Sequence, residues 1–162
     1  MVRPRRFVLL LSAFLPLAAW AQDAQVAFGG LRQDTTLPVE VKAESLTVNQ
    51  TDGSATFTGN VLVGQGEMRL AAQTVRVEYA ADGKSIAKLH ATGGVTLASN
   101  SDAAESDEAV YAVDVGTVLM TGNVLLTQGP SAIAGQKLLI DLKAGTGRME
   151  GGVSTVFSPG GN

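Results

Sequence analysis

A six-residue string occurs twice, and its two copies set a frame for the whole chain. Phe57-Thr58-Gly59-Asn60-Val61-Leu62 returns as Met120-Thr121-Gly122-Asn123-Val124-Leu125, at an offset of 63 residues. In that frame Gln65-Gly66 meets Gln128-Gly129, Ala71 meets Ala134, Gln73 meets Gln136, and Val75 and Val77 meet Leu138 and Ile140. A shorter unit lies inside the long one. Gly-x-Val occurs at Gly59/Val61, Gly93/Val95, Gly122/Val124 and Gly151/Val153, in steps of 34, 29 and 29 residues. A period near 30 built from extended segments means stacked hairpins, each burying its apolar face only against a neighbour.

The extended character follows from alternation. Val39 and Val41 share a face with Glu40 and Lys42 opposite, and Leu46/Val48, Val61/Val63 and Met68/Leu70 continue the pattern. Val75, Val77 and Tyr79 follow it too, as do Tyr111, Val113 and Val115, and Leu138, Ile140 and Leu142. Side chains alternate across a strand, so a period of two marks half-buried strands with one wet face. Asp52-Gly53 and Asp82-Gly83 are hairpin dipeptides, because both residue types tolerate positive φ. Val115-Gly116 and Gly145-Thr146-Gly147 take the corresponding places. The Gly-x-Val glycines read as bends or bulges within strands. Asn100 to Glu108 reads as a polar, acidic loop between the halves. The fold class is therefore all-β and antiparallel, with about a dozen or more short strands.

Residues 1–21 read as a secretory signal peptide. Arg3, Arg5 and Arg6 are basic, Phe7 to Leu17 is apolar, and Ala19-Trp20-Ala21 offers small residues for cleavage before Gln22. No apolar run reaches the ~20 residues of a membrane-spanning helix. Residues 22–36 have no periodicity and read as a flexible leader, 37–157 as the β domain, and 158–162 as a short tail. Cleavage removes three of the 12 basic residues and none of the 15 acidic ones, leaving a net charge of −6. An acidic surface repels phosphate backbones, so nucleic acid is not an expected partner. A chain without Cys suits an oxidising periplasm.

Little in the sequence supports chemistry. There is no Cys and only one His, His90, so neither thiolate catalysis nor a His-rich metal site is available within one chain. Asp102, Glu105, Asp107 and Glu108 fit no EF-hand spacing. Glu40 and Glu44 share a strand face, but nothing places them in a pocket. The glycines form neither a P-loop nor a dinucleotide fingerprint. No catalytic residue, metal or cofactor is expected. One Trp, two Tyr and five Phe are too few for sugar- or base-stacking platforms. A carbohydrate-active sandwich enzyme is the least favoured reading. A secreted structural or adhesive β-repeat scaffold remains the alternative to a carrier.

The segment Ala55-Thr56-Phe57-Thr58-Gly59-Asn60-Val61-Leu62-Val63, with its second copy at Met120 to Leu126, resembles the signature of the LptA/OstA-like family. The resemblance covers roughly Leu37 to Phe157. It implies an open antiparallel β-jellyroll of two sheets built from repeated hairpins. It also implies a non-enzymatic periplasmic protein that carries lipopolysaccharide from the inner to the outer membrane, acyl chains inside a groove. The implied partners are lipopolysaccharide, an inner-membrane transporter component, an outer-membrane translocon, and further copies stacked end to end. The cleavable signal and the end at Asn162 fit the soluble bridge among the members. By matching strands, the lipid-lining positions fall on Val39, Val41, Leu97, Tyr111 and Val113. The strand-edge assembly positions fall on Val39, Val41, Thr155, Val156 and Phe157.

Intact-mass analysis of the exported protein checks the targeting segment: the mature chain should begin at Gln22. A mass that retains residues 1–21 would mean an anchor.

Overall fold

The computed structural model describes residues 24–27 and 29–157; the expected signal peptide and the tail at 158–162 lie outside them. Eleven strands form one antiparallel sheet. They are β1 (Ala24–Ala27), β2 (Glu40–Lys42), β3 (Ser45–Val48), β4 (Ala55–Gln65), β5 (Met68–Tyr79) and β6 (Ile86–Ser99), then β7 (Asp102–Ala112), β8 (Thr117–Gln128), β9 (Ser131–Asp141), β10 (Thr146–Glu150) and β11 (Ser154–Val156). From β4 to β10 each strand pairs with the next, a plain meander. At one end β2 and β3 both pair with β4, and at the other β11 pairs with β9 while β1 pairs with β10.

A crease divides this sheet into two layers. Every long ladder breaks at one level: the register shifts between Thr58 and Val61, Ala71 and Thr74, Thr92 and Val95, Glu105 and Glu108, and Thr121 and Val124. Gly59, Gly93 and Gly122 sit in these breaks, and Gly151 sits where the chain passes from β10 to β11. Gly59-Asn60, Gly93-Gly94, Gly122-Asn123 and Gly151-Gly152 each carry two successive positive φ values, 87° and 45° in the first pair and 81° and 48° in the third. An extra residue with positive φ bends the strand and resets which side chains face inward. The Gly-x-Val valine is the first inward side chain after the bend, and Val61, Val95 and Val124 are buried. One layer holds β3, the segments 55–58, 74–79, 86–92, 108–112, 117–121 and 137–141, then β10 and β1. The other holds β2, the segments 61–65, 68–72, 95–99, 102–106, 124–128 and 131–135, then β11. Their inner faces meet in a single apolar cluster.

The neighbouring strands are fitted to the crease. A Cβ on Gly59 would strike the Glu44 carboxylate, and one on Gly122 the Asp107 carboxylate. These same acids accept from the bulge asparagines: Asn60 Nδ2 donates to Glu44 Oε1 at 2.5 Å, and Asn123 Nδ2 to Asp107 Oδ2 at 2.8 Å. The two sites are 63 residues apart, so the long repeat is a repeat of this bulge together with its partner.

The hairpin dipeptides are turns. Gly53 and Gly83 have φ of 68° and 64°, and the Asp82 carboxylate accepts from the backbone N–H groups of Lys84 and Ser85. The Ser85 hydroxyl and these N–H groups hold the Asp82 carboxyl down at about 2.

Two expectations are corrected. Asn100 to Glu108 is not a loop: its turn is confined to residues 100 and 101, and β7 begins at Asp102. The strand reads as polar because its inward residues are small, Ala104 and Ser106, while Glu105, Asp107 and Glu108 face water. Nor is the segment 22–36 free of the domain. It contributes β1 and the 3-10 turn Gly29–Leu31, and Leu31 is wholly buried. A single buried leucine leaves no periodicity for the sequence to display.

Replacing Gly59 by Ala should destabilise the domain by about 2–3 kcal/mol, since it adds both backbone strain and a clash with Glu44. Gly53→Ala, in an open turn with no atom within 4 Å of the added Cβ, should cost only about 1 kcal/mol. Urea denaturation of the two variants checks the difference.

Candidate functional site: an apolar trough closed by a strap

Two layers joined at a crease close over an apolar trough that their own side chains fill, and its mouth lies opposite the crease, where the hairpin turns of the layers face each other. Val63, Met68, Leu70, Leu97 and Leu126 line one wall, and Val77, Leu89, Tyr111, Val118 and Ile140 the other; all are buried. Burying one such side chain is worth about 1.5–3 kcal/mol.

The chain between β1 and β2 runs along the mouth and ties the layers together. The Gln33 N–H donates to the Leu142 carbonyl of one layer at 2.9 Å. The Gln33 side chain donates through Nε2 to the Ser99 hydroxyl of the other at 2.6 Å. Asn100 Nδ2 reaches the Gly30 carbonyl at 3.3 Å. Further along, Gln65 Nε2 donates to the carbonyls of Thr35 and Leu37 at 3.1 and 2.8 Å. Gln65 Oε1 in turn accepts from the Tyr111 hydroxyl at 2.5 Å. That last bond crosses from layer to layer inside the trough. It satisfies the one phenol in the wall, and among the described residues no buried side-chain polar atom lacks a partner. Burial pushes the Tyr111 phenol up to about 12, against the smaller opposing effect of its bond to Gln65.

The sequence-predicted lining residues separate into two groups. Leu97 and Tyr111 are 0% exposed, one on each wall. Val39, Val41 and Val113 are half-buried against the core. Val41 lies opposite Val63 in the ladder and so faces inward. Val39 and Val113 meet at the mouth, where they line one pocket with Ile86, Leu37, Asp114 and Lys143.

Of the strand-edge positions, Val41 is on β2, and Thr155 and Val156 are on β11, each strand paired on one side only. Val39 precedes β2, and Phe157 follows β11 with 75% exposure.

Gln65, Gln33 and Leu31 were missed as components of this site. The repeat does carry a trace of the first, since it matches Gln65 with Gln128. Both glutamines end a strand before a Gly turn; Gln65 accepts from a buried side chain, whereas Gln128 Nε2 donates to one, Asp102, at 3.1 Å.

The other polar residues singled out in the sequence are dispersed. His90 is exposed beside Glu108, 3.7 Å away. Asp102 faces inward while Glu105, Asp107 and Glu108 face water. Among the described residues no group of three potential metal ligands converges.

Comparison with known proteins decides the family. The model of the LptA/(LptD N-terminal domain) LPS transport proteins matches residues 40–146. The chain belongs to this family. Among solved structures it is similar to LptH, the LptA-homologous periplasmic component of the lipopolysaccharide transport device of Pseudomonas aeruginosa, with a TM-score of 0.70 and 19% identity over 78% of this chain and 99% of that one. That likeness establishes the open β-jellyroll. A curated relative, the uncharacterised protein R00383 of Rhizobium meliloti (strain 1021), is 24% identical over 147 residues, 86% of this chain and 79% of the relative. The family match begins at residue 40, so the strap lies outside it.

An absorbance titration should find Tyr111 protonated until about pH 12. An unfolded phenol releases its proton near pH 10. The folded state therefore holds the extra proton between those values, and stability should fall as pH rises from about 10 through 12. Tyr111→Phe should abolish that part of the pH dependence and cost about 1–2 kcal/mol by leaving Gln65 short of a donor.

Proposed function

We propose that this protein is a periplasmic, non-enzymatic carrier of lipopolysaccharide, working as part of a bridge between the inner and outer membranes. Family membership supports the transport role. The observation that carries the reading to the residues is the apolar trough with its mouth at Val39, Ile86 and Val113. Each acyl methylene removed from water is worth about 0.8 kcal/mol, so a chain of ~12 carbons represents on the order of 10 kcal/mol. Once its walls part, a trough between two layers of Val, Leu, Ile and Met supplies shielding of that size. Its walls carry few directional groups, which favours sliding over tight capture.

In this reading Val39, Val41, Leu97, Tyr111 and Val113 contact the acyl chains. Val39 and Val113 act at the entrance, while Leu97 and Tyr111 act deeper, once the walls part. The unpaired edges at β2 and β11, with Val39, Val41, Thr155, Val156 and Phe157, join copies end to end or dock to the inner- and outer-membrane components of the export system. Short edge strands are templates for strand addition. Since the two ends of the sheet differ, such contacts are heterologous and build an open row.

One observation favours the scaffold alternative. Leu97 and Tyr111 are fully covered by the protein's own side chains, as in a repeat protein with a filled core and no cargo.

Photo-crosslinking separates the two readings. A photoreactive residue at Val39, Val41 or Val113 should capture lipopolysaccharide in cells, detected with a lipid A stain, while one at Glu40 or Asp114 should not. Val113→Asp should abolish passage in a chain that is still folded by circular dichroism, because an unpaired carboxylate among apolar chains costs several kcal/mol. Normal transport by that folded variant would return the function to the scaffold.

A further inference from the structure

The stretch between the 3-10 turn and β2 does more than connect elements. It occupies the place through which a lipid would enter. Leu31 fills the trough from the mouth side with no exposed surface. The hydrogen bonds that hold the stretch reach both layers, through Ser99 on one and Leu142 on the other, and Gln65 clasps its far end through two carbonyls. β1 anchors it upstream by pairing with β10, and β2 anchors it downstream by pairing with β4. Such a segment is tethered at both ends, with one apolar side chain seated between them. Its remaining holds are polar bonds that water can replace once it lifts.

We propose that residues 29–37 are a displaceable strap that plugs the mouth of the trough in the lipid-free protein, and that acyl chains take the space vacated when Leu31 lifts out. The inference rests on the lipid-carrier reading above. It adds that this chain has a closed state and an open one, and that lipid binds only the open state. The apparent affinity is then reduced by the fraction of molecules that are closed, and anything that loosens the strap tightens binding. A filled trough without cargo is what a closed state should look like, so the covered positions of Leu97 and Tyr111 accord with a carrier as well as with a scaffold. Gln65 has a double role in this device. It bonds the wall at Tyr111 and the strap at Thr35 and Leu37, so parting the layers and lifting the strap disturb the same side chain.

The absence of cysteine in the chain permits a direct test. A Cβ on Gly30 would lie 2.8 Å from Asp102 Cγ, one bond short of the Asp102 Cβ, and the Cβ atoms of a disulfide lie about 3.8 Å apart. The full-length mature protein carrying Gly30→Cys and Asp102→Cys should therefore close a disulfide on mild oxidation, read as the loss of free thiols. Binding of purified lipopolysaccharide and of a fluorescent 12-carbon fatty acid is then measured on the same sample before and after reduction. The oxidised form should bind both probes at least tenfold more weakly, and reduction should restore binding. Gln33→Ala, which frees the strap from Ser99, should bind severalfold more tightly than wild type. Equal binding by oxidised and reduced protein would overturn the strap while leaving the carrier reading intact. Failure of the two thiols to join would overturn it too, since Gly30 would not rest on Asp102. A wild-type chain that binds neither probe would overturn the strap together with the function on which it rests.

Discussion

The architecture depends on a backbone constraint: pairs of residues with positive φ, placed at one level in alternate strands. A continuous antiparallel sheet has no reason of its own to fold back on itself. Here Gly59-Asn60, Gly93-Gly94, Gly122-Asn123 and Gly151-Gly152 impose the fold-back, and the strands between them supply the side chains against which the bulges close. Glycine is needed where a Cβ would run into Glu44 or Asp107. Asparagine is tolerated beside it because its amide is held by the same carboxylate. With the crease in place, the inner faces of both layers have only each other to cover them, and hydrophobic burial does the rest.

Opposite the crease the constraint is reversed. No ladder joins the layers there, so the mouth is held by the chain that crosses between β1 and β2 and by side chains. Tyr111 and Gln65 link the walls, and Gln33 and Gln65 bind the crossing chain. A trough that is rigid along one margin and polar-latched along the other has its compliance concentrated at the mouth. That asymmetry suits the carrier role proposed above, in which an apolar cargo is held without being sealed in.

Much of this was legible in the sequence, for a physical reason. Alternation exposed the long strands because each has one buried and one wet face, and the Gly-x-Val spacing exposed the crease because only a few residue types tolerate its backbone. The turns at Asp52-Gly53 and Asp82-Gly83 were readable on the same ground. The first part of β7, up to Glu108, was missed because a segment that packs Ala104 and Ser106 inward gives no apolar alternation, and its acids dominated the reading. The strap was missed because its order comes from partners as distant as Ser99 and Leu142, and a single leucine makes no pattern. The expected lining positions came from family likeness, with Val41, Leu97 and Tyr111 on strands and Val39 and Val113 just outside them, and depth in the trough is a three-dimensional property. Nothing in the spacing separates Val113 at the mouth from Tyr111 two residues earlier and fully enclosed.

The crease also bears on how such a trough changes length. Each hairpin brings its own bulge and returns the chain to the same margin, so a hairpin pair inserted between β6 and β7 would leave the fold line undisturbed. Strands lie about 4.8 Å apart, so the nine strands of the longer layer span roughly 38 Å, and each added pair of hairpins, four strands, would extend the enclosed space by about 19 Å. The 63-residue offset of the repeat equals two such hairpins, from β4 to β8. Length in this fold is thus a count of repeats, adjustable by recombination without redesign of a single turn.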